Sequence, residues 1–194
     1  MIAFNGAAGV AVGFDVTDPS TGNSILRNSI HDNGGLGIDL GSDGVTPNDP
    51  GDVDTGPNGL QNFPVLTSAA SSSGILTVFG TLESAPNTAF SVELFTNSSC
   101  DPSGNGEGQS FLGAISVTTD AAGRATFEQG VPAAPGAAFV TATATDPAGN
   151  TSEFSACSQL AVGPSVSVPV SPIALSVLAV LLALLGARSA LKAD

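Results

Sequence analysis

The stretch "IAFNGAAGVAVG", Ile2–Gly13, aligns residue for residue with "IHDNGGLGIDLG", Ile30–Gly41. Ile2 falls on Ile30, Asn5 on Asn33, and Gly6, Gly9 and Gly13 on Gly34, Gly37 and Gly41. The spacing of about 28 residues is a solenoid period, in which one turn of chain stacks on the next. Alternation sends Val10, Val12, Ile38 and Leu40 to one face, where they form a core, and Ala11 and Asp39 to the other. Gly9, Gly13, Gly37 and Gly41 are expected at corners, where the backbone turns sharply or takes positive φ. Asn5 and Asn33, one coil apart, are expected to share hydrogen bonds in a ladder. Between them, "GNSILRNSIHDN" repeats Asn-Ser-Ile at Asn23 and Asn28, so each coil is expected to hold several short strands. Coils of this kind bury a core only by stacking, and about one and a half coils fall short of the three normally needed. The expectation is that residues 1–41 are the last coils of a longer solenoid.

The segment "NSILRNSIHDNGGLGIDLGSDGVTPNDPGDVDTGPNGLQNFPVL" resembles the closing coil of bacterial right-handed parallel β-helix repeat proteins. In these, an Asn/Gly coil runs into an acidic loop and then an Asn-Phe-Pro-Val segment. The resemblance implies a fold and export from the cytoplasm rather than a defined reaction.

The acidic loop, residues 42–62, offers Asp43, Asn48, Asp49, Asp52 and Asp54, with Asp39 at its edge. Hard cations such as Ca²⁺ take six to eight oxygen ligands from carboxylates, amides and carbonyls, and Gly-rich loops can curl around them. "DVDTG" has Asp-x-Asp spacing without the Glu and register of an EF-hand. Two readings stand: a structural Ca²⁺ site capping the solenoid, or a solvated loop whose Asp and Asn side chains bond their own backbone.

From Gly74 onward, "GILTVFGTL", "AFSVELFTN", "QSFLGAISVTTD", "RATFEQGV", "AFVTATATD" and "TSEFSACSQLAV" are short alternating runs broken by Gly, Pro, Asn and Asp. This spacing predicts an immunoglobulin-like antiparallel β-sandwich over residues 63–162, with "DAAGR", Asp120–Arg124, as a hairpin turn. "TATATDPAGNTSEFS" resembles the last strand pair of bacterial Ig-like surface modules. Asp146, Asn150 and Glu153 form a second polar cluster there, read as turn capping. Cys100 and Cys157 are expected to form a disulfide if the chain is exported, and to be buried thiols otherwise.

Residues 163–172 read as a mobile Val/Ser/Pro/Gly linker. The uncharged run Ile173–Ala187 is followed by Arg188 and Lys192. Extended back to Val166 it reaches the roughly 20 residues a bilayer core requires. The expectation is a transmembrane anchor over 173–194, through Ile173, Leu178, Leu182 and Leu185. A buried core helix is the alternative. Basic residues at its end place the C-terminus in the cytoplasm and residues 1–165 outside. Linker and run together resemble the C-terminal sorting tails of Gram-negative surface proteins, with "VPVSP", Val168–Pro172, in the motif position. "MIAFNGAAGV" has neither the basic start nor the apolar run of a signal peptide, so the chain is expected to be a fragment.

Four Lys and Arg against 17 Asp and Glu leave a net charge of -13, so a phosphate-neutralising surface is missing and nucleic acid is excluded as a partner. The 24 Gly and 13 Pro point to strands and turns, and without Trp or Tyr the usual sugar-stacking rings are absent. His31, the one histidine, adjoins Asp32 but has no nucleophile elbow to serve. Arg27 is the one solenoid base a lyase could use, and Asp32 with Asp39 is the one carboxylate pair a hydrolase could use.

The sequence therefore predicts an all-β chain: truncated right-handed parallel β-helix coils, an Ig-like sandwich and one C-terminal transmembrane helix. Its expected function is a non-catalytic, exported, membrane-anchored surface module that meets extracellular glycan or protein, or serves as a spacer. The alternative is a piece of a secreted β-helix polysaccharide lyase or glycoside hydrolase.

Overall fold

A computed structural model describes residues 1–162 of the chain. Four short strands form the first part: β1 (Ile2–Ala3), β2 (Val10–Val12), β3 (Ile30–His31) and β4 (Ile38–Leu40). β1 pairs parallel with β3 and β2 with β4, in the register Ile2 to Ile30, Val10 to Ile38 and Val12 to Leu40. These are the pairs that the sequence alignment sets opposite one another. Val12, Ile30, Ile38 and Leu40 are buried, whereas Ala11 is exposed. Asn5 donates its side-chain amide to Asn33 Oδ1 at 2.9 Å, so the two coils are laddered at their turn.

Two kinds of glycine mark the corners. Gly13 and Gly41 have φ of 81° and 93°, conformations that a side chain would strain. Gly37 serves close packing instead, since a Cβ there would meet the Phe154 ring at 2.8 Å.

A turn at Pro57–Leu60, with Asn58 and Gly59 both left-handed, leads into the second part. Its strands are β5 (Val65–Ser72), β6 (Ile75–Glu83), β7 (Ala89–Asn97), β8 (Ser110–Thr118), β9 (Arg124–Pro132), β10 (Phe139–Thr145) and β11 (Ser158–Val162). They form one seven-stranded sheet in the order β8-β7-β10-β11-β5-β6-β9. β11 switches partners along its length: Ser158 and Gln159 pair antiparallel with β10, and Leu160–Val162 pair parallel with β5. The sheet thereby curls until its edges, β8 and β9, lie against each other without a ladder between them. Leu76, Val78, Leu82, Phe90, Val92, Leu94, Phe127 and Val140 fill its interior.

This architecture corrects the predicted one. The chain is all-β, but two separate sandwich sheets are replaced by a single sheet nearly closed into a barrel. Asp120–Arg124 is a tight turn, with Asp120 Oδ1 accepting the Ala122 and Arg124 amides, yet it joins the two sheet edges rather than a hairpin pair. β5 has no counterpart among the predicted runs, since it is rich in Ala and Ser and only Ala69 of it is buried. Among the described residues no helix is long and apolar enough to cross a membrane, so the predicted transmembrane helix is not part of the fold as described. The linker and the anchor residues Ile173, Leu178, Leu182, Leu185, Arg188 and Lys192 lie outside the described residues.

Coils and sheet belong to one compact unit. The coil core, built on Val12, Ile30, Ile38, Leu40 and Leu60, continues into Phe95 of β7 and into Phe154, whose rings meet edge to face at 5.3 Å. Cys100 and Cys157 are bonded, closing a separation of 57 residues across the sheet. Replacing both cysteines by serine is expected to lower the unfolding free energy by about 4 kcal/mol in the chain-entropy account. A denaturant titration checks this, and a loss near zero would show that the loop adds no constraint.

Candidate functional site

Three loop carboxylates converge. Asp49, Asp52 and Asp54 each present an oxygen within 4.8 Å of the others, and all three are half-buried. The loop is folded onto the start of the sheet by amide side chains. Asn62 gives its side-chain amide to the Asp49 and Glu83 carbonyls, both at 2.8 Å, and accepts the Asp49 N–H at 3.0 Å. Asn48 exchanges a pair of bonds with the backbone of Phe63, at 2.8 and 2.9 Å. Asp52 is held hardest. Its Oδ1 accepts the Asn62 N–H at 2.9 Å, and its Oδ2 accepts Gln61 Nε2 at 2.8 Å and the Ser84 hydroxyl.

Two oxygens of the trio are left over. Asp49 Oδ1 and Asp54 Oδ1 are buried without a hydrogen-bond partner. Burial, then the neighbouring charges of Asp49 and Asp52, push Asp54 up to about 6. Burial raises Asp52 as well, against the lowering effect of its Ser84 bond. Three anionic groups thus share one small volume with too few donors, and a cation would relieve that conflict. A shallow cavity of about 220 Å³, lined by Asn48, Asp49, Pro50, Val65, Thr81 and Glu83, opens beside them.

Of the residues singled out in the sequence, Asp49, Asp52 and Asp54 come together. Asp43 stands apart, exposed, with Asp39 its charged neighbour. Asn48 lies at the rim and uses its amide to hold Phe63. The loop also bonds its own backbone in part, since Asp49 Oδ2 accepts the Val53 N–H at 3.2 Å. Asp146 and Asn150 close a turn on themselves through two bonds of 2.8 Å. Asp146 also borders a cavity of about 590 Å³ between Ser24, Leu26 and the β7–β8 surface.

Glu153 is not part of that turn. It is buried and faces the coils, where Oε1 accepts the Leu40 N–H at 3.0 Å and Oε2 accepts the Thr46 N–H at 2.9 Å. Two more carboxylates bond coil amides, Glu93 buried in β7 and Glu107 half-buried in the loop before β8. Glu93 accepts the Arg27 N–H at 2.7 Å, and Glu107 accepts the Asp32 and Asn33 amides at 2.6 and 3.1 Å. Ile30 completes the contact by exchanging bonds of 2.9 and 2.8 Å with Gly108. These glutamates therefore occupy the outer edge of the second coil, where a third coil would otherwise pair. His31 meets Asp32 at 2.7 Å beneath Phe4, and the Arg27 guanidinium lies over Phe111.

No protein-family model matches the sequence, and no match is found among curated proteins. The functional reading therefore rests on the site itself.

Burial raises Glu153 to about 7 from an ordinary 4.5, outweighing the Leu40 and Thr46 amides that lower it, and Asp39 adds to the rise. A carboxyl raised by folding binds more protons folded than unfolded between those two values. Its relative stability is thus complete below about 4.5 and lost as the pH passes 7. Asp54, raised from 3.8 to about 6, adds in the same direction. Metal-free protein is expected to lose on the order of 3 kcal/mol or more between pH 4.5 and 7.5. Glu153→Gln should flatten most of that slope. Unfolding free energies measured across this range check both statements, and stability that rises with pH would contradict them.

Proposed function

We propose that the chain is a non-catalytic module of the cell surface, held outside the cytoplasm, whose acidic loop takes a structural Ca²⁺. The convergence of Asp49, Asp52 and Asp54 around two unpartnered buried oxygens carries the metal part of this reading. An all-oxygen donor set suits a hard cation, and loop carbonyls and water would complete six to eight ligands. Export is supported by the Cys100–Cys157 bond, since such bonds persist in oxidising compartments.

The structural role has its own support. The glutamates that face the coils, which chemistry would need free, are engaged by backbone amides there. Calcium at the loop would fasten the segment that joins coils to sheet, because Asp49 and Asp52 are already bonded to Asn62 ahead of β5. The module's partner would then be an extracellular glycan or protein met by the exposed coil and sheet faces.

In chelator-treated protein at neutral pH, millimolar Ca²⁺ is expected to raise Tm. The gain should approach about 2.7 kcal/mol when calcium stands at ~100 times its Kd. Asp52→Asn/Asp54→Asn should abolish the rise. An unchanged Tm, or an equal rise in the double variant, would overturn the calcium reading.

A further inference from the structure

The contact between coils and sheet leaves a gap at one end. Ser24 Oγ donates to the Gly149 carbonyl at 3.0 Å, and the Ile25 N–H donates to Thr151 Oγ1 at 2.9 Å. This segment therefore lies on the side of the coils that meets the sheet, not on the side where a further coil would stack on β1 and β2. Beside it is the cavity of about 590 Å³, a volume within the range of ligand pockets. Thr145 of β10 pairs with Ser91 of β7, Ser91 pairs with Ser116 of β8, and all three line the cavity. Directly paired residues stand about 5 Å apart on one face, so the three hydroxyl side chains form a row across three strands. Asp146 follows Thr145 at the end of the row, and Leu26, 41% exposed, and Ala114 supply apolar surface. Asp146 is the one charged residue in the lining, and it forms no ion pair among the described residues. Arg27 and Arg124 already face Glu93 and Glu83, at 3.9 and 3.4 Å.

We propose that this cavity receives a lysine side chain from a basic segment of a partner protein, with the ammonium at Asp146 and the methylene stem along Leu26 and Ala114. An ammonium has three donors and no acceptor, which suits a carboxylate beside a row of hydroxyl oxygens. Its stem covers apolar surface while the head stays among polar groups. Charge decides between this occupant and a glycan. A neutral sugar could use the same hydroxyls but gains nothing from a net charge of -13, whereas that field draws a cation into a cleft whose single charge is negative. The proposal rests on the surface-module reading only in choosing a protein over a glycan as the partner met there. It is independent of calcium and of the acidic loop.

The test is a titration of the isotope-labelled full chain, followed by amide chemical shifts in chelator and in a non-ionic detergent because Ile173–Ala187 is uncharged and apolar. The probe is a capped alanine peptide with one central lysine, carried to millimolar concentration. Saturable shifts are expected at Ser91, Ser116, Thr145 and Asp146. Norleucine in place of the lysine should weaken binding about fivefold, and so should Asp146→Asn, which keeps an oxygen for the Asn150 N–H. Ser116→Leu, which fills the cavity and leaves Asp146 in place, should abolish the shifts. Glu128→Gln, which removes an exposed charge on β9, should leave them unchanged. Circular dichroism confirms that each variant folds. Absence of saturable shifts overturns the proposal, as do shifts centred on Asp49, Asp52 and Asp54, equal binding of the norleucine peptide, or equal weakening by Glu128→Gln and Asp146→Asn. Each of these outcomes leaves the calcium reading standing, since that reading fails only on its own Tm measurement.

Discussion

Backbone amides at the outer edge of the second coil are satisfied by carboxylates from the sheet and its loops, and the arrangement of the chain depends on this contact. Two stacked coils bury too little to stand alone, and their exposed edges would present unpaired N–H groups. Glu93, Glu107 and Glu153 supply acceptors at Arg27, Asp32, Asn33, Leu40 and Thr46. Hydrogen bonds to a charged acceptor are roughly twice as strong as neutral ones, which offsets part of the cost of burying the carboxylates. The apolar half of the contact is Phe95 and Phe154, which extend the coil core into the sheet. The sheet thus substitutes for a third coil on both counts, polar and apolar.

The same contact explains the sheet's composition. β7 and β10 are buried on both faces beyond Glu93 and Phe139, so Thr141, Thr143 and Thr145 lie inside the molecule although they alternate with Ala as surface residues would. β6 and β9, away from the coils, keep an exposed face. The acidic loop bridges the two regimes, since Glu153 holds its beginning at Thr46 while Asn62 and Ser84 hold its centre at Asp49 and Asp52. Raised carboxyl groups therefore gather where the loop crosses from coils to sheet.

Coil pairing was legible in the sequence because two signals coincide, the alternation of Val10, Val12, Ile38 and Leu40 and the spacing of Asn5 from Asn33. Six of the seven sheet strands were legible for a similar reason. β5 was not, because its Ala and Ser side chains are small on both faces. The metal-capable trio lay within the predicted set, but sequence spacing could not separate Asp49, Asp52 and Asp54 from Asp43, which the chain turns away. Of the three docking glutamates, Glu153 stood out in the sequence only as a turn-capping residue beside Asp146 and Asn150, and Glu93 and Glu107 did not stand out at all. Glu93 in "SVELF" reads as a solvent position opposite Val92 and Leu94. Its one local signal is Phe95, which breaks the alternation and shows that the strand's other face is also covered. What covers it is 66 residues away at Arg27, a pairing that local patterns do not carry.

The most direct test of the account is native-state hydrogen exchange at the amides of Arg27, Asp32, Asn33, Leu40 and Thr46, compared with Val92 and Ala142 in the sheet core. If the carboxylates make coils and sheet one cooperative unit, all of these amides exchange with the free energy of global unfolding. Coil amides that exchange orders of magnitude faster than Val92 and Ala142 would show that the coils open on their own, and would contradict it.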